Sequence, residues 1–277
     1  MARVEPAVQS GSLLKLYQAM WAPYYQAVLS ILGPTGVILP IGDPHHGQPN
    51  ATTFTTKGEE RLTFTWSEPP ASFDTPLDLT DADSFQGVMP VVVFNGTDEE
   101  ADSPDAAYWS RVGAAFSLCM WVNLSDVTPV TLLSKWDDAG GTNEWKWQLG
   151  SGGVPALRMH DESASAELLD IGSTALVSGE WTFFAVTIDG AETLAGVIHY
   201  INGALDAEGG GSIKDGGYVA MEDLAGTLKL LHEDATPSAL GAGRVAGGPL
   251  GPCFTQKELT DDEVRALYDL GRAALAL

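Results

Sequence analysis

The segment GEWTFFAVTIDGAETLAGVIHYING, residues 179–203, decides the fold. Trp181, Phe183, Ala185 and Thr187 would share one face of an extended chain, and Thr182, Phe184, Val186 and Ile188 the other. Both faces are largely apolar. A strand of that kind belongs in the middle of a two-layered sandwich, with a facing sheet on one side and crossing loops on the other. Asp189-Gly190 and Asn202-Gly203 offer residues tolerant of positive φ on either side of residues 196–201, so the segment reads as strand, tight turn, strand, tight turn. An antiparallel all-β core follows.

Working outward, other stretches fit the same plan. FSLCMWVNL (residues 116–124) and LLSKWD (132–137) read as strands, and Trp145 and Trp147 share one face of the next. Toward the C-terminus, Thr260 has Glu263 three residues on. That is a capping box opening a helix whose buried side is Val264, Leu267, Tyr268 and Leu270.

Trp181 followed by an apolar strand ending in Asp-Gly, and then Tyr200-Ile201-Asn202-Gly203, resembles the signature of concanavalin A-like, laminin-G-type jelly rolls. FNGTDEEADSPD (94–105), residues 116–124, residues 132–137 and the closing stretch 243–271 resemble that family's other elements in the same order. The resemblance implies an all-β, two-sheet antiparallel jelly-roll sandwich over residues 85–277. Such folds host lectins, glycosidases, adhesion modules and virion proteins, so no single function comes with it. It also implies that Cys119 and Cys253 lie on neighbouring strands. They are expected as free buried thiols, since a chain with this much core needs no staple.

Composition narrows the classes. A formal charge of −23 leaves little with which to neutralise phosphates and argues against nucleic acid and anionic membranes. Sixteen prolines and 31 glycines suit many turns and short strands. No window reaches the length of a membrane span, and residues 1–20 lack the pattern of a secretory signal.

Residues 1–84 read as an arm: one helix, a Pro/Gly-rich linker from Val37 to Ala51, and a β-hairpin from Thr52 to Ser67. Its helix carries an aromatic stripe including Leu16, Tyr17, Met20, Trp21, Tyr24, Tyr25 and Val28, with Pro23 expected to break or kink it. The arm is too poor in apolar contacts to fold alone, so the stripe either packs on its own sandwich or grips another subunit. The second is favoured because the family fold closes without such a helix. Removing residues 1–84 is then expected to leave a soluble sandwich that cannot join its assembly.

For chemistry, the only Glu-x-Asp is Glu100-Ala101-Asp102, and the second glutamate of a glucanase pair is missing. No nucleophile elbow or phosphate loop is present, so the chain is read as non-enzymatic. The acid-rich loop 97–105 is read as solvated, with a structural calcium held by Asp98, Asp102 and Asp105 as its functional alternative. Asp43, His45 and His46 could be taken for metal ligands, but adjacent histidines in a proline-rich loop more often face solvent. Trp145 and Trp147 are read as core, with a glycan-binding pair as the alternative. The expectation that unites these readings is a tailed-phage virion protein assembled in the host cytoplasm. It would be a capsid decoration or accessory protein, homo-oligomeric, anchored by its arm and displaying the jelly roll. A carbohydrate-binding adhesion module is the alternative, and a glucanase-type glycosidase the third.

Overall fold

A computed structural model describes residues 10–43, 53–66, 85–97, 99–127, 129–233 and 242–277. The first elements are α1 (Ser10–Leu32), β1 (Val37–Ile38), β2 (Thr53–Thr55), β3 (Lys57–Gly58), β4 (Thr63–Trp66), β5 (Phe85–Gln86), β6 (Met89–Asn95) and β7 (Ala101–Ser103). The jelly roll continues through β8 (Phe116–Leu124), β9 (Val130–Lys135), β10 (Trp145–Leu149), β11 (Pro155–Asp161), β12 (Ala166–Ile171) and β13 (Thr182–Ile188). It closes with β14 (Val197–Ile201), β15 (Ala204–Leu205), β16 (Ile213–Lys214), β17 (Leu228–Leu230), β18 (Ala242–Ala246), β19 (Cys253–Thr255) and α2 (Asp261–Ala274).

Two antiparallel sheets form the sandwich. The first runs β15-β14-β13-β8-β18-β6-β5, and the second β16-β12-β11-β10-β9-β17-β7-β4-β2. Every residue of β13 is buried. Phe184, Val186 and Ile188 point into the space between the sheets with Phe116, Leu118 and Met120 of β8 and Trp145, Trp147 and Leu157 of the second sheet. Phe183 and Ala185 point the other way, into a second core with Cys119 and Trp121. That second core is closed by helices rather than by crossing loops, because α1 and α2 lie over the first sheet and supply Trp21, Tyr25, Val28, Leu32, Val264 and Leu267. The architecture is therefore three layers: two helices, one sheet buried on both faces, and a second sheet.

Local chemistry explains the elements. The β14–β15 hairpin turns at Asn202 (φ 52) and Gly203 (φ 72), both in the left-handed region that a two-residue primed turn requires. The β13–β14 connection is longer than the tight turn expected, since it runs through a 3₁₀ turn at Leu194–Gly196. Within it, buried Glu192 accepts hydrogen bonds from Gly113 N, Tyr218 Oη and Met221 N, so the loop serves as a junction for its neighbours. Helix α2 starts at the expected capping box, with Glu263 N donating to Thr260 Oγ1 and Thr260 N to Glu263 Oε2. Gly271 of α2 lies against the Trp121 indole so closely that a Cβ there would meet Nε1 at 2.1 Å. That contact is what lets the helix settle onto the sheet. Cys119 and Cys253 stand opposite each other on β8 and β19 as free, buried thiols.

The N-terminal third departs from the expected arm. Helix α1 is one continuous element through Pro23. Its Trp21 is 1% exposed, with Nε1 donating to Val88 O at 2.8 Å, and Tyr25 Oη donates to Asp43 Oδ2 at 2.6 Å. Burial, reinforced by the Asp43 carboxylate, pushes the Tyr25 phenol well above its ordinary pKa. Trp21, Tyr25 and Val28 are thus covered by their own chain and are not a surface for a partner. Leu16 faces outward, Met20 and Tyr24 sit at the margin, and the side chain of Tyr17 lies outside the described residues. The expected linker opens with a fully buried strand, since β1 is inserted between β19 and β3. The expected hairpin forms as β2 and β4, but it extends the second sheet beside β7, and Phe54, Phe64 and Trp66 enter the central core.

Trp21→Ala is expected to lower unfolding free energy by about 3–5 kcal/mol in urea titrations, the usual cost of removing a buried Trp. A chain beginning at residue 85 lacks α1, β1 and β2–β4, and is expected to be recovered as aggregate rather than as a soluble sandwich.

Candidate functional site

The outer face of the second sheet is where the topology gathers polar chemistry. Trp145 and Trp147 of β10 face the central core, so Lys146 between them faces away. The registers then place Thr65, Asp102, Lys229, Ser134, Lys146 and Arg158 in one row across β4, β7, β17, β9, β10 and β11.

This row is closed upon itself. Lys146 Nζ lies 2.8 Å from Glu233 Oε2, which also accepts from Thr131 Oγ1 at 2.9 Å. The same ammonium sits 4.4 Å over the Trp136 ring, and Lys229 Nζ donates to Trp136 O at 2.8 Å. Arg158 pairs with Glu167 at 3.0 Å. His232, 1% exposed, faces a carboxylate with each ring nitrogen: Asp102 Oδ1 at 2.6 Å from Nε2, and Glu100 Oε2 at 3.0 Å from Nδ1. The Glu100 contact is a close approach without hydrogen-bond alignment.

Glu100 immediately precedes β7 and Asp102 lies within it, and both carboxylates are turned to one imidazole. Retaining and inverting glycosidases need a proton-donating carboxyl and a second one about 5–10 Å away, both open to the sugar. Here the two acids clamp a strand end.

The calcium alternative fares no better. Asp102 is committed to His232, and Asp105 lies 3.0 Å from the buried Lys135 ammonium. Lys135 also contacts Glu144, which accepts from Leu224 N at 2.8 Å. Burial raises the Glu144 pKa against the opposing pull of Lys135. Asp102 and Asp105 thus serve separate partners, and among the described residues no cluster of His, Cys, Asp or Glu is arranged to hold a metal. Asp98, His45 and His46 lie outside the described residues. The proposed glycan platform is also corrected: Trp145 and Trp147 are both 0% exposed, and Trp145 Nε1 donates to Trp109 O at 3.0 Å. Neither ring can meet a sugar.

One open feature went unread in the sequence. A cleft of about 700 Å³ lies between the C-terminal end of α1 and the β3–β4 turn, lined by Gln26, Leu29, Ser30, Pro34, Lys57 and Arg61 among others. It exists because β1, directly after α1, pairs with β3 in the register Val37↔Gly58 and Ile38↔Lys57. No local motif announces a cleft made by two segments joined only through a two-residue strand.

Residues 95–219 match the family model described as the concanavalin A-like lectin/glucanases superfamily. No curated protein matches the sequence. Among solved structures, the chain is similar to the botulinum neurotoxin serotype G binding domain (TM-score 0.54, 11% identity, 87% of this chain and 52% of that one). The serotype D binding domain is similar too (0.54, 13%, 88% and 52%), as is the binding domain of Paraclostridial Mosquitocidal Protein 1 (0.50, 11%, 85% and 51%). The chain spans about half the length of these domains, and at such identity the likeness is one of fold. The two sheets and their order form a jelly-roll sandwich that resembles the concanavalin A-like superfamily over residues 95–219 and is closed on one side by the chain's own two helices.

Proposed function

We propose that the chain is a non-catalytic binding module. The observation that carries this reading is the engagement of Glu100 and Asp102 by His232. The one Glu-x-Asp of the sequence, which matches only the first part of the glucanase motif, is used to fasten the start of β7 to the end of β17. The matched structures share the fold and are themselves binding domains, which supports the same reading without assigning a ligand.

The virion anchor drew its support from a helix short of burial. With Trp21, Tyr25 and Val28 beneath their own chain, that support is gone, and recognition by the folded module is preferred to anchoring on a capsid. A glycan remains a candidate ligand, but not through Trp145 and Trp147.

Two outcomes test this. Incubated with β-glucan and arabinan, the full chain should release no reducing ends, while a glycan array probed with the same preparation should show selective binding. Hydrolysis would overturn the proposal. His232→Ala, which leaves two carboxylates facing each other, should cost about 1–3 kcal/mol of stability because both acids are partly solvated. Trp145→Ala should cost about 3–5 kcal/mol in urea titrations, as a core deletion does. A loss of sugar binding at unchanged stability would instead make Trp145 a ligand contact.

A further inference from the structure

We propose that the cleft between α1 and the β3–β4 turn is the ligand site of this module and that it takes a carboxylated sugar of the uronic-acid type. The inference rests on the binding-module reading above and adds a place and a chemistry to it.

Charge is the first argument. The chain has 37 acidic residues against 14 lysines and arginines, so a surface cation has carboxylates to spare around it. Salt bridges take up Lys135, Lys146, Arg158, Lys257 and Arg265. Lys57 and Arg61 both line the cleft, and among the described residues neither forms an ion pair with a carboxylate. Glu59 is the one carboxylate among the lining residues, so the two cations leave the cleft a net positive spot on an acidic protein. Beyond a Debye length of about 8–10 Å the protein's net charge is screened, so the local spot governs which anion is held. Lys57 is also steadied: its ammonium sits 5.4 Å over the Tyr25 ring, and Tyr25 is fixed by Asp43. Arg61 supplies a planar fork suited to a carboxylate.

The remaining wall selects a hydroxylated ligand. Gln26 and Ser30 offer exposed polar side chains. The carbonyl of Ser30 lacks its ordinary helical partner, because the residue four positions on is Pro34, which has no N–H. Gly33 N, the next nearest donor, goes to Leu29 O at 3.0 Å. A sugar hydroxyl can donate to such an orphan acceptor, and the C-terminal end of the α1 dipole repels the double charge of a phosphate dianion more than the single charge of a uronate. Leu29 and Pro34 give an apolar patch for the C–H face of a ring. The floor is backbone: Gly58, at φ +147, lies so close to Gly36 that a Cβ would meet Gly36 O at 2.4 Å. The volume of about 700 Å³ falls within the roughly 300–1,000 Å³ of small-molecule sites.

The test is calorimetric titration of the full chain with a glucuronate-terminated disaccharide, the corresponding neutral glucose disaccharide and inorganic phosphate. Arg61→Gln and Lys57→Gln serve as variants, with melting temperature as the folding control. The uronate is expected to bind at least about tenfold more tightly than the neutral sugar or phosphate. Each variant should lose about tenfold or more of that affinity at unchanged melting temperature, the worth of one charge-assisted hydrogen bond. Binding that neither variant weakens would overturn the cleft while leaving the binding-module reading intact. Phosphate binding as tight as the uronate would overturn the sugar assignment. Silence toward the uronate, with a glycan array positive elsewhere, would overturn this site alone, and silence in both would overturn the binding-module reading as well.

Discussion

The constraint on which the molecule depends is a sheet greasy on both sides. Strands β8 and β13 send alternate side chains into two separate cores, and each core must be sealed from water. The second sheet seals one. The other would leave Trp121, Phe183 and Ala185 exposed if the jelly roll ended at its strands. Fully burying a large apolar side chain is worth about 1.5–3 kcal/mol, so leaving that face open would cost a substantial part of a domain's net stability. Helices α1 and α2 are the answer to that cost. The aromatic stripe that suggests a docking surface when α1 is considered alone is the inner lining of a lid.

How the lid is held follows from the same requirement. A helix amphipathic enough to cover a sheet still needs a fixed position, and polar contacts supply it at the edges of the apolar patch. Trp21 Nε1 reaches Val88 O, Tyr25 reaches Asp43, and Thr255 Oγ1 donates to Leu32 O at 2.7 Å. Immediately after α1 the chain dives into the first sheet as β1. Leu39 N then bonds to Pro252 O at 2.7 Å, so the segment is tied to the C-terminal strand region. Helix, inserted strand and closing strand are therefore one structural unit drawn from both ends of the sequence.

What could be read in advance was whatever local chemistry specifies. The alternation in 182–188, the Asn202-Gly203 turn and the Thr260–Glu263 capping box are each decided within a few residues, and each appears where expected. The burial of Trp145 and Trp147 was likewise legible as the commoner fate of such a pair. The partner of an apolar stripe is not a local property: the residues of α1 announce that they need burial, and nothing in them says against what. Two-residue strands such as β1 and β3 carry no period at all, and the Val37–Ala51 stretch was read by its prolines and glycines rather than by Val37 and Ile38. The same gap hid the cleft, whose two walls meet only through that pairing. The Glu100-Asp102 motif was visible, but its partner His232 comes from far along the chain.

The central claim, that the outer face of the first sheet is closed by helices of the same chain, is tested most directly by native-state hydrogen exchange at protein concentrations low enough to keep the chain monomeric. Amides of residues 21–32 should be protected to nearly the same free energy as those of β13, with no dependence on concentration. Exchange of α1 at the rate of a free peptide while β13 stays protected would contradict it, and would return the helix to the role of an arm awaiting another molecule.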